Sequence, residues 1–362
     1  MYIPKYSITT QILKNIGLVE AAREVIENAP IVPAWEAKFQ DEARLRAAHY
    51  GTALEGNELT LNEARAVMEG NSDSVVAKER DVQEVINYRR VLDFIENSLG
   101  RPGEAGGLGF NYTKELLMDI HRLVVEKIVP EEQLGKYRTS QVVLKNSVTG
   151  EVGFRPPPAF DVSSLVDEFL VWLNEESGRR EHPVLRAAAV HYVLAAIHPF
   201  IEGNGRTARA FATLVLFAEG YDIKRFFALE EYFDSHAEEY FGSLMLVSNQ
   251  TTILADRDLT PWMEVFTQAL AIELTRIKEK VRELSVDIKI KERMGKQISL
   301  SQRQMKIMEY LNSNGEVTMK EAKGMLPMVS EDTILRDMRD LMEKQVIDKK
   351  GSTKLARYSL KK

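Results

Sequence analysis

The amino-acid sequence predicts a mainly helical protein with one β-hairpin and a C-terminal winged helix-turn-helix. Through most of the first 280 positions, apolar residues recur every three or four residues, which is the period of an amphipathic helix. The interval 137–158 instead combines two β-prone runs with a polar turn and three consecutive prolines. From Ser301 onward, three short helical patterns precede two β-prone runs. Together these observations predict the fold class.

The composition limits the classes of function. The 362 residues are 44% hydrophobic and 28% charged, a balance that can bury a large core. Because the sequence contains no cysteine, disulfides, thiolate metal sites and cysteine nucleophiles are excluded. The net charge of −6 gives no overall attraction to nucleic acid or anionic lipid. With no secretory signal or bilayer-spanning run in view, we expect a cytoplasmic protein without a membrane partner.

The sequence divides into four predicted regions. Residues 1–100 form an N-terminal helical region, and residues 101–270 form a central helical domain that includes the hairpin. Charges alternate densely in residues 271–296, which indicates a solvated connecting helix. Residues 297–362 form the winged-helix domain.

The charge pattern of this last domain argues against DNA as its main partner. Its predicted recognition helix, residues 331–344, carries more acidic than basic side chains, so it would repel phosphates. The wing, with Lys349, Lys350, Lys354 and Arg357, is the better phosphate contact. We therefore favour protein contact or homodimerisation over DNA binding.

The most informative stretch is residues 198–209, HPFIEGNGRTAR. It lies between two apolar helical patterns, and Pro199 ends the first of them. Gly203, Asn204 and Gly205 allow a turn with positive φ, so that successive amides converge where the next helix begins. A helix N-terminus of this kind is an anion site.

Four side chains add chemistry to this turn. Arg206 and Arg209 lie three positions apart on the first helical turn and provide two cations for a polyphosphate. His198 can take a proton near neutral pH, and Glu202 supplies a hard oxygen ligand suited to Mg²⁺. Phosphoryl and nucleotidyl transfer depend on positioning and on neutralising charge. The residues alone therefore favour phosphate chemistry.

The string HPFIEGNGRTAR resembles the signature of the Fic family, HPFx(D/E)GNGRxxR, at each defined position. The hairpin and the flanking helices resemble the substrate flap and helical core of that family, over roughly residues 111–250. The resemblance implies a Fic-type helical core with a β-hairpin flap, and a catalytic domain at residues 101–270. It also implies that the protein transfers AMP from ATP, with Mg²⁺, to a Ser, Thr or Tyr hydroxyl of a protein target or of itself.

The resemblance carries roles to individual residues. His198 would deprotonate the target hydroxyl, Phe200 would anchor the loop in the core, and Glu202 would bind Mg²⁺. Arg206 would contact the β-phosphate region and Arg209 the γ-phosphate. The implied nucleotide-binding residues are Gly203, Asn204, Gly205, Arg206 and Arg209. The flap strand, which would pair with an extended target segment, comprises Arg138, Thr139, Ser140, Gln141, Val142, Val143 and Leu144.

A candidate inhibitory element lies near the N-terminus, in the segment TALEGNEL. Glu55 closes a helical pattern, Gly56 is its left-handed terminator, and Thr60 with Glu63 forms a capping box for the next helix. A carboxylate at a helix C-terminus faces the negative end of the dipole and is unfavourable unless a cation pairs with it.

This segment resembles the Fic inhibitory motif (S/T)xxxE(G/N), with one departure. The position four before Glu55 is Gly51, and Thr52 is only three before it. The resemblance implies that Glu55 pairs with Arg209 and denies it to the γ-phosphate, so that the enzyme is autoinhibited. The sequence leaves open whether Glu55 also positions water for the removal of AMP.

Two alternatives stay open. The protein is either an enzyme or a transcriptional regulator that senses a nucleotide with the Fic fold and binds DNA with the winged helix. Within the enzyme class, the donor is open as well, because the glycine turn recognises phosphates and not the base. Another nucleotide or a phosphocholine-type donor stays open. The intact GNGRxxR favours a nucleoside triphosphate whose γ-phosphate Arg209 holds, and a kinase-like variant would be expected to depart from this motif.

Overall fold

The computed structural model describes residues 2–29, 31, 33–99, 109–145, 152–284, 300–327, 329–351 and 356–361. The described chain is mainly helical with a few short antiparallel strands, which confirms the predicted fold class. It divides into two compact units, Met1–Glu24 with Asp41–Thr275 and Val25–Gln40 with Arg276–Lys362. The four-part division of the sequence stays a prediction.

The helices up to residue 284 build the first unit, and α1, α2 and α12 also supply residues to the second. They are α1 (Thr10–Asn28), α2 (Pro33–Ala53), α3 (Leu61–Met68), α4 (Glu79–Leu99), α5 (Lys114–Val125), α6 (Val162–Asn174), α7 (Glu176–Arg179), α8 (Pro183–Ile197), α9 (Asn204–Ala218), α10 (Leu229–Ser235), α11 (Ala237–Ser248) and α12 (Thr260–Leu284).

Helices α8 and α9 pack along each other at the centre of the first unit. Almost every residue of α8 is buried, as its continuous apolar sequence requires, and α9 is buried along most of its length. Helices α4, α5 and α6 pack around this pair. The loop that joins α8 to α9 is therefore held by a rigid core.

The segment between α2 and α3 is a tight turn. Helix α2 ends at Ala53, two residues earlier than the sequence pattern suggested, and Gly56 adopts φ +92°. The predicted capping box is present, because the amide of Glu63 donates to the Thr60 hydroxyl and the amide of Thr60 donates to the Glu63 carboxylate. Glu55 thus projects from a turn with both ends fixed.

The predicted hairpin strand is much shorter than expected. Strand β1 (Leu144–Lys145) pairs with β2 (Val152–Phe154), and residues 138–143 are not in a strand. The correction has a local cause, since side chains take the place of ladder partners: Arg138 donates to the Ser140 carbonyl and Gln141 to the carbonyls of Val142 and Pro156. The predicted turn at 146–150 lies outside the described residues.

In its described residues, the second unit contains three further helices and an antiparallel sheet. The elements are α13 (Gln302–Asn314), β3 (Glu316–Thr318), α14 (Met319–Met325), α15 (Glu331–Glu343), β4 (Ile347–Lys350) and β5 (Arg357–Leu360). The sheet order is β3-β5-β4, so a third strand joins the two expected from the sequence. The winged-helix assignment stays a prediction, and part of the predicted connecting helix, 285–296, lies outside the described residues.

Across the described ranges, none of the helices has both the length and the apolar character needed to cross a membrane.

Candidate functional site

The loop between α8 and α9 turns at two left-handed residues. His198 ends α8 with φ +52° and ψ +60°, and Gly203 precedes α9 with φ +74°. Asn204 and Gly205 are already helical, so the positive φ expected across the whole glycine turn occurs only at Gly203. A Cβ at Gly203 would also lie 2.5 Å from a methyl of Val125, so this position needs glycine twice over.

The loop is locked from inside by its own side chains and by α5. Phe200 is fully buried; its amide donates to Asn204 Oδ1 at 2.8 Å, and Asn204 Nδ2 donates to the Phe200 carbonyl at 2.9 Å. The Asn204 side chain therefore holds the loop together, and the contact of Asn204 with a nucleotide stays a prediction.

His121, to which the sequence assigned no function, stacks on the Phe200 ring with centroids 3.6 Å apart. Its Nδ1 accepts from the Gly135 amide at 3.1 Å, so the proton is on Nε2, which donates to the Glu202 carbonyl at 3.1 Å. Burial lowers the pKa of His121 to about 4, and the ring is neutral near pH 7. His121 is thus a structural support of the loop.

His198 lines a cavity of about 140 Å³ together with Glu55, Gly205 and Arg209. Its Nδ1 lies 3.4 Å from the Ala195 carbonyl, which can only accept, so Nε2 carries the free lone pair. Burial lowers the pKa of His198 to about 4, although the bond to Ala195 and the charge of Glu55 oppose the shift. At neutral pH the ring can accept a proton.

Arg209 pairs with the segment after α2. Its Nη2 donates to Glu55 Oε1 at 2.9 Å and to the Gly51 carbonyl at 2.7 Å, and its Nη1 donates to the Tyr240 hydroxyl at 3.3 Å. Burial alone would raise the pKa of the Glu55 carboxyl, but the guanidinium groups of Arg209 and Arg206 outweigh burial and hold the pKa below its usual value. The carboxylate is ionised at neutral pH.

The departure from the inhibitory motif at Gly51 has a packing reason. A Cβ there would lie 3.1 Å from the Tyr88 ring and 3.3 Å from a methylene of Glu230. The Thr52 hydroxyl instead bonds within α2, to the Ala48 carbonyl. The position that carries a hydroxyl in the motif thus reaches Arg209 through a backbone carbonyl.

Glu55 also lies against the start of α9. A Cβ at Gly205 would come within 2.1 Å of Glu55 Oε1, so the carboxylate lies directly on the first helical turn. The carboxylate therefore lies beside the end of α9 whose dipole favours a negative charge.

Arg206 belongs to a charge cluster formed with Arg80, Glu84 and Glu202. Arg206 is fully buried and lies 3.2 Å from both Glu84 and Glu202, while Arg80 lies 3.1 Å from each of the same carboxylates. The sequence pattern indicated Arg206 and Glu202 but not Arg80 and Glu84. The only available signal was their i,i+4 spacing in α4, which does not point to residues more than 100 positions away.

Asn57 connects the segment that carries Glu55 to this charge cluster. Its Nδ2 donates to Glu84 Oε2 at 3.0 Å and to the Asp81 carbonyl at 2.9 Å. Asn57 is buried, in contrast to its neighbours Gly56 and Glu58. The Glu-Gly-Asn core therefore contacts α9 through Glu55 and α4 through Asn57.

Glu202 is the residue of this loop that the sequence assigned to a metal ion. Among the residues that the structure describes, no group of three or more His, Asp or Glu side chains could hold a metal ion. Mg²⁺ is commonly bound by one or two carboxylates together with substrate phosphates and water. The partly exposed Glu202 fits that mode of binding. It does not fit a site in which the protein supplies all the ligands.

Comparison with known proteins identifies the domain. The model of the Fic/DOC family matches residues 111–216, a range that contains the whole loop and most of α9. The chain is 30% identical over 209 residues to "Protein adenylyltransferase Fic" of Culex quinquefasciatus, covering 58% of this chain and 39% of that protein. It is 33% identical over 185 residues to the protein of the same name from Drosophila grimshawi, covering 51% and 35%. The chain spans less than half the length of these curated relatives.

Solved structures confirm the fold. A Fic family protein from Desulfovibrio desulfuricans G20 aligns with a TM-score of 0.67 at 23% identity, covering 99% of this chain and 98% of that one. Fic-1 from C. elegans aligns with a TM-score of 0.56 at 23% identity, covering 75% and 72%.

Proposed function

We propose that this chain, which contains a Fic domain, transfers AMP from ATP to a Ser, Thr or Tyr hydroxyl of a protein, itself included, and is inhibited by Glu55. One observation carries the proposal: a neutral imidazole, a buried arginine and a helix N-terminus border one cavity, and a carboxylate of the same chain holds the anion position. The names of the two adenylyltransferase relatives support the choice of AMP transfer over other phosphate chemistry.

In the proposed reaction, Nε2 of His198 accepts the proton of the target hydroxyl while the hydroxyl oxygen attacks the α-phosphorus of ATP. The bond between that phosphorus and the oxygen leading to the β-phosphate breaks, and pyrophosphate leaves. General-base catalysis contributes on the order of 10²–10⁴ in rate. The start of α9 and Arg209 bind the phosphates. Arg206, to which the resemblance gave a contact with the β-phosphate region, is fully buried beside Glu84 and in this proposal supports the same turn. Glu202, with phosphate oxygens, would hold the Mg²⁺ that neutralises phosphate charge.

Inhibition follows from competition for one cation. Arg209 can bind either the Glu55 carboxylate or the γ-phosphate, and Glu55 lies where phosphate would meet Gly205. When the Glu55 turn moves away, both the guanidinium and the amides of α9 become available to the nucleotide. The brake is therefore a charge substitution and requires no rearrangement of α8 or α9.

Finer parts of the proposal concern partners. The short strand β1 would pair with an extended segment of the target, which places its hydroxyl beside the cavity. The second unit would act as a winged helix that contacts protein in preference to DNA, since α15 begins with the acidic residues Glu331 and Asp332. We propose the cytoplasm as the location.

The test uses ATP labelled at the α-phosphate, with Mg²⁺, on four forms of the chain. These are the wild type, Glu55→Gly, the matched control Glu58→Gly, and Glu55→Gly combined with His198→Ala. Glu58 is a neighbouring glutamate paired with Lys78 and more than half exposed, so its loss leaves Arg209 paired. We expect self-labelling to rise at least about tenfold in Glu55→Gly only, and to vanish without His198.

Each part of the proposal can fail separately. Nucleotide binding without a covalent label would favour the nucleotide-sensing regulator. Equal labelling of the wild type and Glu55→Gly would refute inhibition by Glu55. Labelling that persists in the variant with His198→Ala would refute His198 as the general base.

A further inference from the structure

Arg138 is a buried arginine whose hydrogen bonds connect three parts of the site. Only 2% of its surface is exposed. Its Nε donates to the His198 carbonyl at 2.8 Å, Nη1 donates to the Ser140 carbonyl at 3.2 Å, and Nη2 donates to the Pro157 carbonyl at 2.5 Å. A longer bond of 3.5 Å reaches the Ile197 carbonyl. One guanidinium thus joins the end of α8 to both sides of the hairpin base.

The charge of Arg138 is neutralised by backbone carbonyls. Within the described residues, each of its side-chain hydrogen bonds ends on a carbonyl, and two of these carbonyls belong to the C-terminal end of α8. The unsatisfied carbonyls at a helix C-terminus carry a negative partial charge and stabilise a nearby cation. The amide of Arg138 adds a bond to the Pro199 carbonyl at 2.9 Å. The contact is therefore fixed by the chain path and not by a mobile acidic side chain.

The carbonyl held at 2.8 Å belongs to a strained residue. His198 has left-handed dihedrals, which strain a residue that carries a side chain. This conformation ends α8 and directs the imidazole toward the cavity shared with Arg209. A firm donor on the His198 carbonyl offsets the strain, because the carbonyl direction is set by the same dihedrals.

We propose that Arg138 is a positioning residue for the reaction: it holds the backbone of His198 and the base of the flap in one geometry, so that the imidazole and the target segment meet. This inference rests on the proposed AMP transfer. It changes the role that the sequence suggested for Arg138, which was a strand residue of the flap facing the target. A side chain with 2% exposure has almost no surface to offer a target.

The geometry explains why arginine is needed at this position. A guanidinium has five donors in a planar fork and can serve three or four carbonyls that point in different directions. Lysine keeps the charge but gathers its three donors on one atom, and it cannot span the His198 and Pro157 carbonyls with the same reach. Alanine removes both the charge and the fork.

The test compares Arg138→Lys and Arg138→Ala in the Glu55→Gly chain, which is free of the proposed brake. Arg186→Lys is the matched control, because Arg186 is fully buried, donates to the Leu173 carbonyl at 2.8 Å and pairs with Glu219, away from the cavity. We expect kcat for AMP transfer to fall about 100-fold in Arg138→Ala and about tenfold in Arg138→Lys. The dissociation constant for ATP should stay within about threefold, since Arg138 does not line the cavity. Added guanidinium ion should restore part of the Arg138→Ala activity.

A second readout is independent of activity. In chains labelled with ¹⁵N in the histidine rings, the His198 signals should show the Nδ1–H form in the parent and lose that preference in Arg138→Ala, because the ring is released from Ala195. A parent chain without His198-dependent labelling refutes the proposed function, and the ring signals then decide the inference by themselves. Unchanged ring signals, an unchanged kcat, or a loss of kcat equal to that of Arg186→Lys at matched melting temperature would each overturn it.

Discussion

Helix α9 carries two arginine–glutamate pairs that share their chemistry and differ in their surroundings. Arg206 lies 3.2 Å from Glu84, and Arg209 lies 2.9 Å from Glu55. The Glu84 side chain is 4% exposed and belongs to the 21-residue helix α4, whereas the Glu55 side chain is 30% exposed and belongs to the turn after α2. Burial and the rigidity of the supporting element, and not distance, distinguish the two pairs.

The difference separates Arg206–Glu84, a structural pair, from Arg209–Glu55, a pair in which our proposal has phosphate replace the glutamate. Removing one partner of a buried pair leaves an uncompensated charge and costs about 3–5 kcal/mol, whereas a partly exposed pair contributes about 0–1 kcal/mol. Glu84 is therefore a permanent partner of Arg206. The Arg209–Glu55 pair lies between these limits, because its arginine side chain is 2% exposed and its glutamate side chain 30% exposed. In our proposal this lower cost lets Glu55 leave Arg209 when a nucleotide binds.

The largest predicted effect breaks the comparison at Glu84. We expect Glu84→Ala to lower the free energy of unfolding by about 3–5 kcal/mol, and Glu55→Ala to lower it by less, about 1–3 kcal/mol, because Arg209 keeps its bonds to the Gly51 carbonyl and the Tyr240 hydroxyl. Urea denaturation of both variants and the wild type, followed by circular dichroism, measures the two values. Equal losses would mean that exposure does not decide the role of either pair.

The sequence predicted the parts of the site that are local. The glycine turn, the end of α8 just before Pro199 and the capping box after Glu55 all follow from short motifs whose physics acts within a few residues. The resemblance also led us to expect Glu55 beside Arg209, and the structure places them 2.9 Å apart, although the inhibitory role stays a prediction.

The sequence did not predict the contacts that cross the fold. Glu84 meets Arg206, and His121 stacks on Phe200, across 122 and 79 positions of the chain, and no periodic pattern records such pairs. The flap strand was predicted to be longer than it is for a related reason. Its β-prone residues follow Arg138, whose side chain binds backbone carbonyls that a longer strand would need.

A smaller effect tests the link between the two pairs. Asn57 donates to Glu84 and to the Asp81 carbonyl, and it holds the turn that carries Glu55. We expect Asn57→Ala to cost about 1–2 kcal/mol of stability, through the lost hydrogen bonds, and to raise self-labelling about threefold, less than Glu55→Gly.

Thr60→Ala is the matched control for Asn57→Ala. It removes the cap of α3 at a similar cost of about 1 kcal/mol but touches neither pair. Self-labelling should therefore stay at the wild-type level in Thr60→Ala. An equal rise in both variants would show that any loosening of the segment releases the brake, with no special part for Asn57.

The smallest expected effect is the response to pH, because neither Glu55 nor His198 should change its protonation near neutrality. The pKa of Glu55 is lowered, so its pairing with Arg209 is complete above the ordinary carboxyl pKa and is lost only as pH falls through the lowered value. The pKa of His198 is lowered to about 4, so the ring is deprotonated well below neutrality. The ratio of labelling between Glu55→Gly and the wild type should therefore stay within about twofold from pH 6 to 8. A step in that ratio near pH 6.5 would show that His198 titrates as an exposed imidazole does. The Glu55–Arg209 pair would then respond to the charge of His198 as well as to phosphate.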